Sequence, residues 1–327
     1  MIDIESLKVQ FWDGKYKVRR EDCEKTLEKQ FYFNEEGIQI AIKRALGDFT
    51  DRTEKLNPES GYKSFGIEEK FKALCGTDKE EAIKPKDGSF VQKFIDYFFE
   101  KPGEFKNKES FDDWHKDMCN KFLEVIGANY RGGLKYGKAQ KIVNMTFKNA
   151  YCLKNEENSK FTNCDKYYEH CHMPLDSVTL EWFKRTQVYM KEKNEDYLRT
   201  TRIPSWSKQN YEEIEDFKNS EGKTYYSYIK IQEAISKYFC DKYVEENSAT
   251  GYLKDCRPFQ AEFFVWPYMQ LEIAAESLYN HLLSFKEEND ERKNEFKKKP
   301  INEKLEHLQD VFKDIEKYKV SQEASKN

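Results

Sequence analysis

A glycine-rich turn inside a block of basic residues is the segment of the chain best suited to chemistry. Between positions 131 and 154 the sequence contains Gly132, Gly133 and Gly137 and no acidic residue. The basic residues of this stretch are Arg131, Lys135, Lys138, Lys141, Lys148 and Lys154. A glycine turn that opens a helix lets backbone N–H groups approach a phosphate, and the helix N-terminus adds positive potential. The pattern therefore predicts an anion site, the alternative being a loop whose basic side chains are simply solvated.

An aspartate follows at the start of another predicted helix. Pro174 ends the preceding segment, and Asp176 or Ser177 can cap the helix that begins SVTLEWF. A carboxylate in that position is stabilised by backbone donors and the helix dipole, which suits a group that stabilises a developing cation or orients a water. The simpler interpretation is that Asp176 is only the helix cap.

Cysteines and histidines are grouped just before this aspartate, at Cys152, Cys164, His170, Cys171 and His172. Thiolates and imidazoles are zinc ligands, but this spacing matches no standard zinc motif. We therefore predict no metal and no cofactor, and zinc at these residues remains an open alternative. His170 and His172 are also candidates for contact with a substrate.

Helices are predicted to position these residues, because a 3.6-residue hydrophobic period is commoner along the chain than alternation. The clearest helix begins at Ser110, which forms a capping box with Asp113, and ends near Gly127. Further helices are predicted at 90–100, 177–190, 226–239 and about 259–283. One hairpin is expected around Asp13-Gly14, since this dipeptide suits a tight turn. The expected fold is mainly α with a small N-terminal β element.

Composition limits the class of protein. The chain has 327 residues, of which 15% are aromatic, a content typical of a folded chain and not of a disordered one. Its formal charge is −4, so a nucleic-acid site must be local. Membrane-length apolar stretches and a secretory signal are missing from the sequence, and the cysteines are scattered, which predicts a cytoplasmic protein with reduced thiols. The motifs GxxxxGK[ST], HExxH, GxSxG and CxxC are absent, which argues against several large enzyme classes.

Together, the glycine turn and the aspartate segment resemble the core of the helix-hairpin-helix DNA glycosylases. LKYGKAQKIVNMTF resembles the hairpin and its second helix, and MPLDSVTLEWF resembles the segment that carries the catalytic aspartate. More closely, RGGLKYGKAQKIVNM followed by HMPLDSVTLEW is similar to the α-glutamyl/putrescinyl-thymine pyrophosphorylase-like branch, which is linked to hypermodified phage DNA and includes an antiphage glycosylase acting on glucosylated hydroxymethylcytosine.

The resemblance implies one glycosylase-like helical domain over residues 1–327, with its hairpin and aspartate core at 130–190. Asp176 lies farther beyond Gly137 than is usual in the superfamily, so residues 154–171 are predicted to be an insertion. The implied partner is double-stranded DNA with modified bases, and no membrane. The implied DNA-binding residues are Arg131, Gly133, Lys135, Tyr136, Gly137, Lys138 and Lys141.

The resemblance also implies a mechanism. The modified pyrimidine rotates out of the duplex, and Asp176 stabilises the positive charge on the sugar and orients water. Lys138 or Lys141 grips a phosphate or forms a Schiff base, and we favour the enzyme without strand cleavage. The substrate pocket is expected to include His170, His172, Trp182 and Arg185. Two alternatives remain open: a non-catalytic module that binds modified DNA or protein, and a transferase acting on hypermodified bases.

Overall fold

The computed structural model describes most of the chain in separate stretches. The described residues are 32–49, 56–60, 65–77, 84–100, 107–153, 167–192, 205–211, 227–240, 257–284, 290–304, 306–308 and 310. The hairpin predicted around Asp13-Gly14 lies outside them, as do most of the predicted insertion and Cys164.

Helices account for the regular structure of these residues, and no strand occurs among them. The α-helices are α1 (Glu35–Gly47), α2 (Ile67–Cys75), α3 (Phe90–Ile95), α4 (Lys108–Val125), α5 (Tyr136–Tyr151), α6 (Ser177–Glu192), α7 (Tyr228–Cys240), α8 (Pro258–Ser284) and α9 (Asp290–Lys298). Short 3-10 turns occupy Pro58–Ser60, Gly127–Asn129 and Trp206–Lys208, and Asp96–Glu100 is a π-helical turn. The mainly α prediction is therefore confirmed at the level of fold class.

The helices predicted from periodicity are present, although one predicted cap was wrong. The stretches 90–100, 177–190, 226–239 and 259–283 correspond to α3 with its π turn, α6, α7 and α8. Helix α4 begins two residues before Ser110, and Asn107 is its cap, because the side-chain oxygen of Asn107 accepts the N–H of Ser110 at 2.9 Å. Asparagine is as good a cap as serine, and the sequence offers both.

Helix α5 is the centre of the fold. Of residues 136–150, all of which the structure describes, every one except Lys141 is buried. Helices α1 and α4 and the turn Trp206–Lys208 pack against it. A helix that is buried on nearly every side is a core helix, so its few polar side chains must find partners inside the protein.

Aromatic side chains fill the space around α5. The ring of Phe147 packs edge-on against Phe94, Tyr97 and Phe98, with centroids 5.2 to 5.7 Å apart. Edge-to-face packing of this kind adds stability beyond the burial of apolar area. The high aromatic content of the sequence is thus used largely in the core.

The chain forms two compact units, residues 1–264 and 265–327, and the boundary falls within α8. In the second unit, Tyr279 stacks on Phe296 at 3.9 Å, next to buried Ala275 and Leu308. The single domain predicted over residues 1–327 stays a prediction. None of the described helices is both long enough and apolar enough to cross a membrane.

Candidate active site

The glycine turn lies between α4 and α5. Gly132 and Gly133 have φ angles of +81° and +70°, which residues with a Cβ rarely adopt. The N–H of Gly133 donates to the carbonyl of Tyr130 at 3.0 Å and closes the turn. The side chains of Arg131 and Lys135 are exposed beside it.

Gly137, in the first turn of α5, serves to pack another segment. A Cβ at this position would collide with the carbonyl oxygen of Trp206, and the N–H of Gly137 donates to the carbonyl of Gln209 at 3.1 Å. The segment 205–211 thus lies directly on the first turn of α5. The N–H groups of Gly133 and Gly137 are both occupied inside the protein, so exposed side chains are better placed than these two donors to meet a phosphate.

Asp176 caps α6 through one carboxylate oxygen. Its Oδ1 accepts the N–H groups of Val178 and Thr179 at 2.8 and 3.0 Å. In return, the hydroxyl oxygen of Thr179 accepts the N–H of Asp176 at 2.9 Å. This reciprocal cap fixes the orientation of the carboxylate.

The second carboxylate oxygen faces a lysine of the central helix. Asp176 Oδ2 lies 3.8 Å from Nζ of Lys141, and the two side chains are 16% and 17% exposed. Lys141 is the single position between 136 and 150 at which α5 is not buried. The structure therefore brings together two predicted site residues that are 35 positions apart: Lys141 of the basic glycine segment and Asp176 at the start of α6.

Trp206, which was not predicted to be a site residue from the sequence, lies beside the pair of Lys141 and Asp176. The ring of Trp206 lies 5.2 Å from Nζ of Lys141 and 5.4 Å from Nζ of Lys138. A lysine ammonium is attracted to the face of an indole ring at such distances. Trp206 is partly exposed, so its ring is a flat apolar surface close to the lysine that meets Asp176. No local sequence signal marked it, because only the fold brings the segment 205–211 to α5.

Two buried glutamines hold the extended segment that leads to Asp176. The amide of Gln140 accepts the N–H of Leu175 at 3.2 Å and donates to the carbonyl of Leu175 at 2.7 Å. Gln232 on α7 does the same for Met173, at 3.1 and 2.7 Å. Each glutamine thus satisfies both backbone groups of one residue, and the pair fixes the approach of the chain to Asp176 from α5 and α7.

A buried ion pair lies two turns further along α5. Nζ of Lys148 pairs with a carboxylate oxygen of Glu262 on α8, and both side chains are almost inaccessible to solvent. Burial raises the pKa of Glu262 from its ordinary value to about 7, with Lys148 opposing the rise and the charge of Asp176 adding to it. Lys141 and Lys148 are two turns apart on one face of α5, so each basic group on this face meets a carboxylate from a different element.

Two buried histidines belong to a separate polar network between α4, α5 and α7. Nε2 of His172 lies 2.8 Å from Asp112, and its Nδ1 lies 2.8 Å from the hydroxyl of Tyr228. Because the carboxylate only accepts, Nε2 of His172 carries the hydrogen, and the neutral ring accepts the hydroxyl of Tyr228 at Nδ1. Burial lowers the pKa of His172, against the opposing effect of Asp112.

The ring of His115 has the same kind of partners as the ring of His172: an acceptor oxygen at Nε2 and a tyrosine hydroxyl at Nδ1. Its Nε2 lies 2.9 Å from the side-chain oxygen of Asn144, which only accepts, and its Nδ1 lies 3.1 Å from the hydroxyl of Tyr136. Burial lowers its pKa well below the usual range. Tyr136 and His172, predicted to contact DNA and substrate respectively, are thus both buried in this network.

The remaining predicted site residues have different surroundings. Lys138 is 5% exposed, between the rings of Phe49 and Trp206.

Of the residues predicted to line a substrate pocket, Trp182 is buried and packs edge-on against Tyr238 at 5.6 Å. Arg185 pairs with Glu181 on its own helix at 3.2 Å, and His170 is half-buried. These contacts place Trp182 in the packing of α6 and α7, and a role of either α6 side chain in a substrate pocket stays a prediction.

The cysteines of the described residues do not form a metal site. Cys171 is buried, its Sγ lies 3.7 Å from the carbonyl oxygen of Tyr167, and burial raises its pKa well above the usual range. No group of three or more metal-binding side chains occurs among the residues that the structure describes. Cys164, part of the open zinc alternative, is not among them.

Comparison with known proteins adds no relative. No family model matches the chain, and neither a curated protein nor a solved structure matches it at a significant level. The site must therefore be interpreted from its own geometry.

Proposed function

We propose that this chain is a DNA glycosylase-like enzyme of the helix-hairpin-helix type that removes a modified pyrimidine from DNA. The observation that carries the proposal is the geometry of Asp176. One oxygen of its carboxylate is held by the N-terminus of α6, and the other faces Lys141 at the partly exposed point of the central helix. The order helix, two-glycine turn, helix, capped aspartate supports the same class.

The chemistry requires a base that has left the duplex. The bond between C1′ and the pyrimidine nitrogen breaks, and its electron pair leaves with the base, which takes up a proton. Positive charge develops on the sugar ring, where the outer oxygen of Asp176 can stabilise it. A water then adds to C1′ and gives its proton to the carboxylate and on to solvent.

Trp206 supplies a surface for the extruded base. Bases stack on aromatic side chains with a gain of about 1 to 3 kcal/mol per base, whatever their identity. Trp206 is partly exposed, and its ring lies 5.2 Å from Nζ of Lys141, which itself contacts Asp176. Stacking on Trp206 would hold a base near the carboxylate.

The structure also favours hydrolysis without strand cleavage. A Schiff base requires a lysine amine that reaches the sugar carbon. Lys138 is buried between two aromatic rings, and Lys141 faces the carboxylate that the hydrolytic step uses. Exposed Arg131 and Lys135 beside the glycine turn are the side chains proposed to grip the DNA backbone.

The test is incubation of the protein with phage DNA carrying unmodified, hydroxymethylated or glucosyl-hydroxymethylated cytosine. Released bases are identified by mass spectrometry, beside an assay for abasic sites. We expect release of one modified base, and no release by Asp176→Asn. Binding of DNA without release of any base would contradict the proposal and favour the binding module, and release of a base only with a second substrate would favour the transferase.

A further inference from the structure

Three glutamine side chains are completely buried among the residues that the structure describes: Gln140, Gln209 and Gln232. Gln140 and Gln232 use both amide atoms to clamp the chain before Asp176. Gln209 differs, because neither its side-chain nitrogen nor its side-chain oxygen has a hydrogen-bond partner among the described residues.

An unpaired amide inside a protein is costly. A buried donor or acceptor without a partner loses its bonds to water and gains nothing in return. Proteins therefore pair nearly all such groups, and an exception calls for a specific cause. A ligand that supplies the missing donor and acceptor is one such cause, since binding sites keep a few well-placed polar groups for their ligands.

The backbone of Gln209 is attached to the first turn of α5, beside the candidate active site. Its carbonyl accepts the N–H of Gly137 in the first turn of α5, and its N–H donates to the carbonyl of Trp206. The same turn of α5 is tied to the aspartate segment, because Gln140 donates to the carbonyls of both Gly137 and Leu175. Gln209 and Asp176 therefore belong to two segments that are fastened to one helical turn.

We propose that the side-chain amide of Gln209 recognises the hydrogen-bonding edge of the extruded base, an inference that rests on the proposed function. The amide offers one acceptor oxygen beside a donor nitrogen. It is complementary to a base edge on which a donor stands beside an acceptor, such as the amino group and ring nitrogen N3 of a cytosine derivative. Trp206 would then hold the face of the base, and Gln209 its edge.

The complete burial of Gln209 sets a condition on binding. A base reaches the amide only when the segment 205–211 moves from its place on α5. This movement breaks the bond from Gly137 to the carbonyl of Gln209, and it also strains the bonds from the N–H groups of Tyr228 and Ile229 to the carbonyls of Asn210 and Tyr211. Recognition of the base and movement of Trp206 are therefore coupled.

The test compares Gln209→Met with Gln232→Met. Methionine nearly matches the shape of glutamine but can neither donate nor accept strongly. Both variants are assayed on DNA with hydroxymethylcytosine, glucosyl-hydroxymethylcytosine or hydroxymethyluracil, and their melting temperatures are measured without DNA. Gln232→Met is the matched control, because it removes two bonds to a buried backbone segment.

We expect Gln209→Met to lower kcat/KM on the preferred base by about 10-fold or more, because one lost hydrogen-bonding group costs about that factor. The melting temperature should stay equal or rise, since an unpaired amide is replaced by an apolar group. Gln232→Met should lower the melting temperature, because two bonds to the buried backbone are lost.

Two results would overturn the inference while leaving the proposed function intact. One is unchanged kcat/KM in Gln209→Met. The other is a fall in melting temperature as large as that of Gln232→Met, which would show that the amide has a structural partner. If the wild-type protein releases no base from any of the DNAs, the proposed function itself fails, and the inference fails with it.

Discussion

The amino group of Lys141 lies 3.8 Å from Oδ2 of Asp176, while the other oxygen of that carboxylate is fully engaged in capping α6. One carboxylate oxygen thus caps the helix, and the other faces Lys141. Asp176 is neither a simple cap nor a free surface acid, and the two tasks can be separated by mutation.

Replacement of Asp176 by Asn should abolish base release with little change in stability. Asparagine caps helices as well as aspartate does, so the bonds to Val178 and Thr179 can be kept. Asp176→Ala should lower the free energy of unfolding by about 1 kcal/mol, because the cap is lost. Urea denaturation of the two variants measures this difference.

A control comes from the cap of α1. The side-chain oxygen of Asn34 accepts the N–H of Gly37 at 2.8 Å. Asn34→Ala should cost a similar free energy and leave activity intact. If Asp176→Asn were as destabilised as Asp176→Ala, the carboxylate would have a structural role beyond capping.

Replacements of the basic residues in the glycine turn and the first turn of α5 should differ in their effects on DNA binding. Arg131 and Lys135 are exposed, whereas Lys138 is 5% exposed between aromatic rings. Arg131→Ala and Lys135→Ala should each weaken binding and reduce the slope of log affinity against log salt by about 0.9. Fluorescence anisotropy at several salt concentrations measures this slope.

Lys138 is the matched comparison. Lys138→Glu would place a carboxylate in an aromatic environment and should lower the melting temperature, whereas Lys135→Glu should not. An unchanged salt slope in both Arg131→Ala and Lys135→Ala would rule out the hairpin as the surface that meets DNA.

Local sequence signals predicted much of the fold but only part of the site. Periodicity located α3, α6, α7 and α8, because apolar side chains recur along these segments at helical spacing. The helix cap at Asp176 was predicted for the same local reason. Tertiary contacts could not be predicted, because no local sequence signal indicates that Trp206 packs on α5 or that Glu262 pairs with Lys148. The run of basic residues from 131 to 154 also did not indicate that Lys148 is buried and Lys135 is exposed, because burial depends on which neighbours surround the helix.

The buried pair of Lys148 and Glu262 should respond very differently to single and double replacement. Glu262→Leu leaves the ammonium of Lys148 buried without its partner and should cost about 3 to 5 kcal/mol. The double variant Lys148→Met with Glu262→Leu should recover most of that loss, because two apolar side chains of similar volume need no pairing. A double-mutant cycle by urea denaturation above pH 7, where Glu262 is charged, gives the coupling energy.

The exposed pair of Lys43 and Glu68 is the control for this cycle. Its side chains are 34% and 59% exposed, so its coupling energy should stay below about 1 kcal/mol. A coupling energy for Lys148 and Glu262 no larger than this would mean that the pair is solvated.

The pH dependence of stability should reveal the protonation of Glu262. Burial raises its pKa from 4.5 to about 7, so between these values the folded protein holds a proton that the unfolded chain releases. Stability from this group is therefore complete below pH 4.5 and is lost as the pH rises toward 7. The free energy of unfolding of the wild type, minus that of the Lys148→Met and Glu262→Leu double variant, should fall across this window by up to about 1.4 kcal/mol per pH unit. The buried histidines titrate in both proteins and cancel in the difference. A difference that rises with pH over the same window would show that Lys148 keeps Glu262 charged in the folded protein.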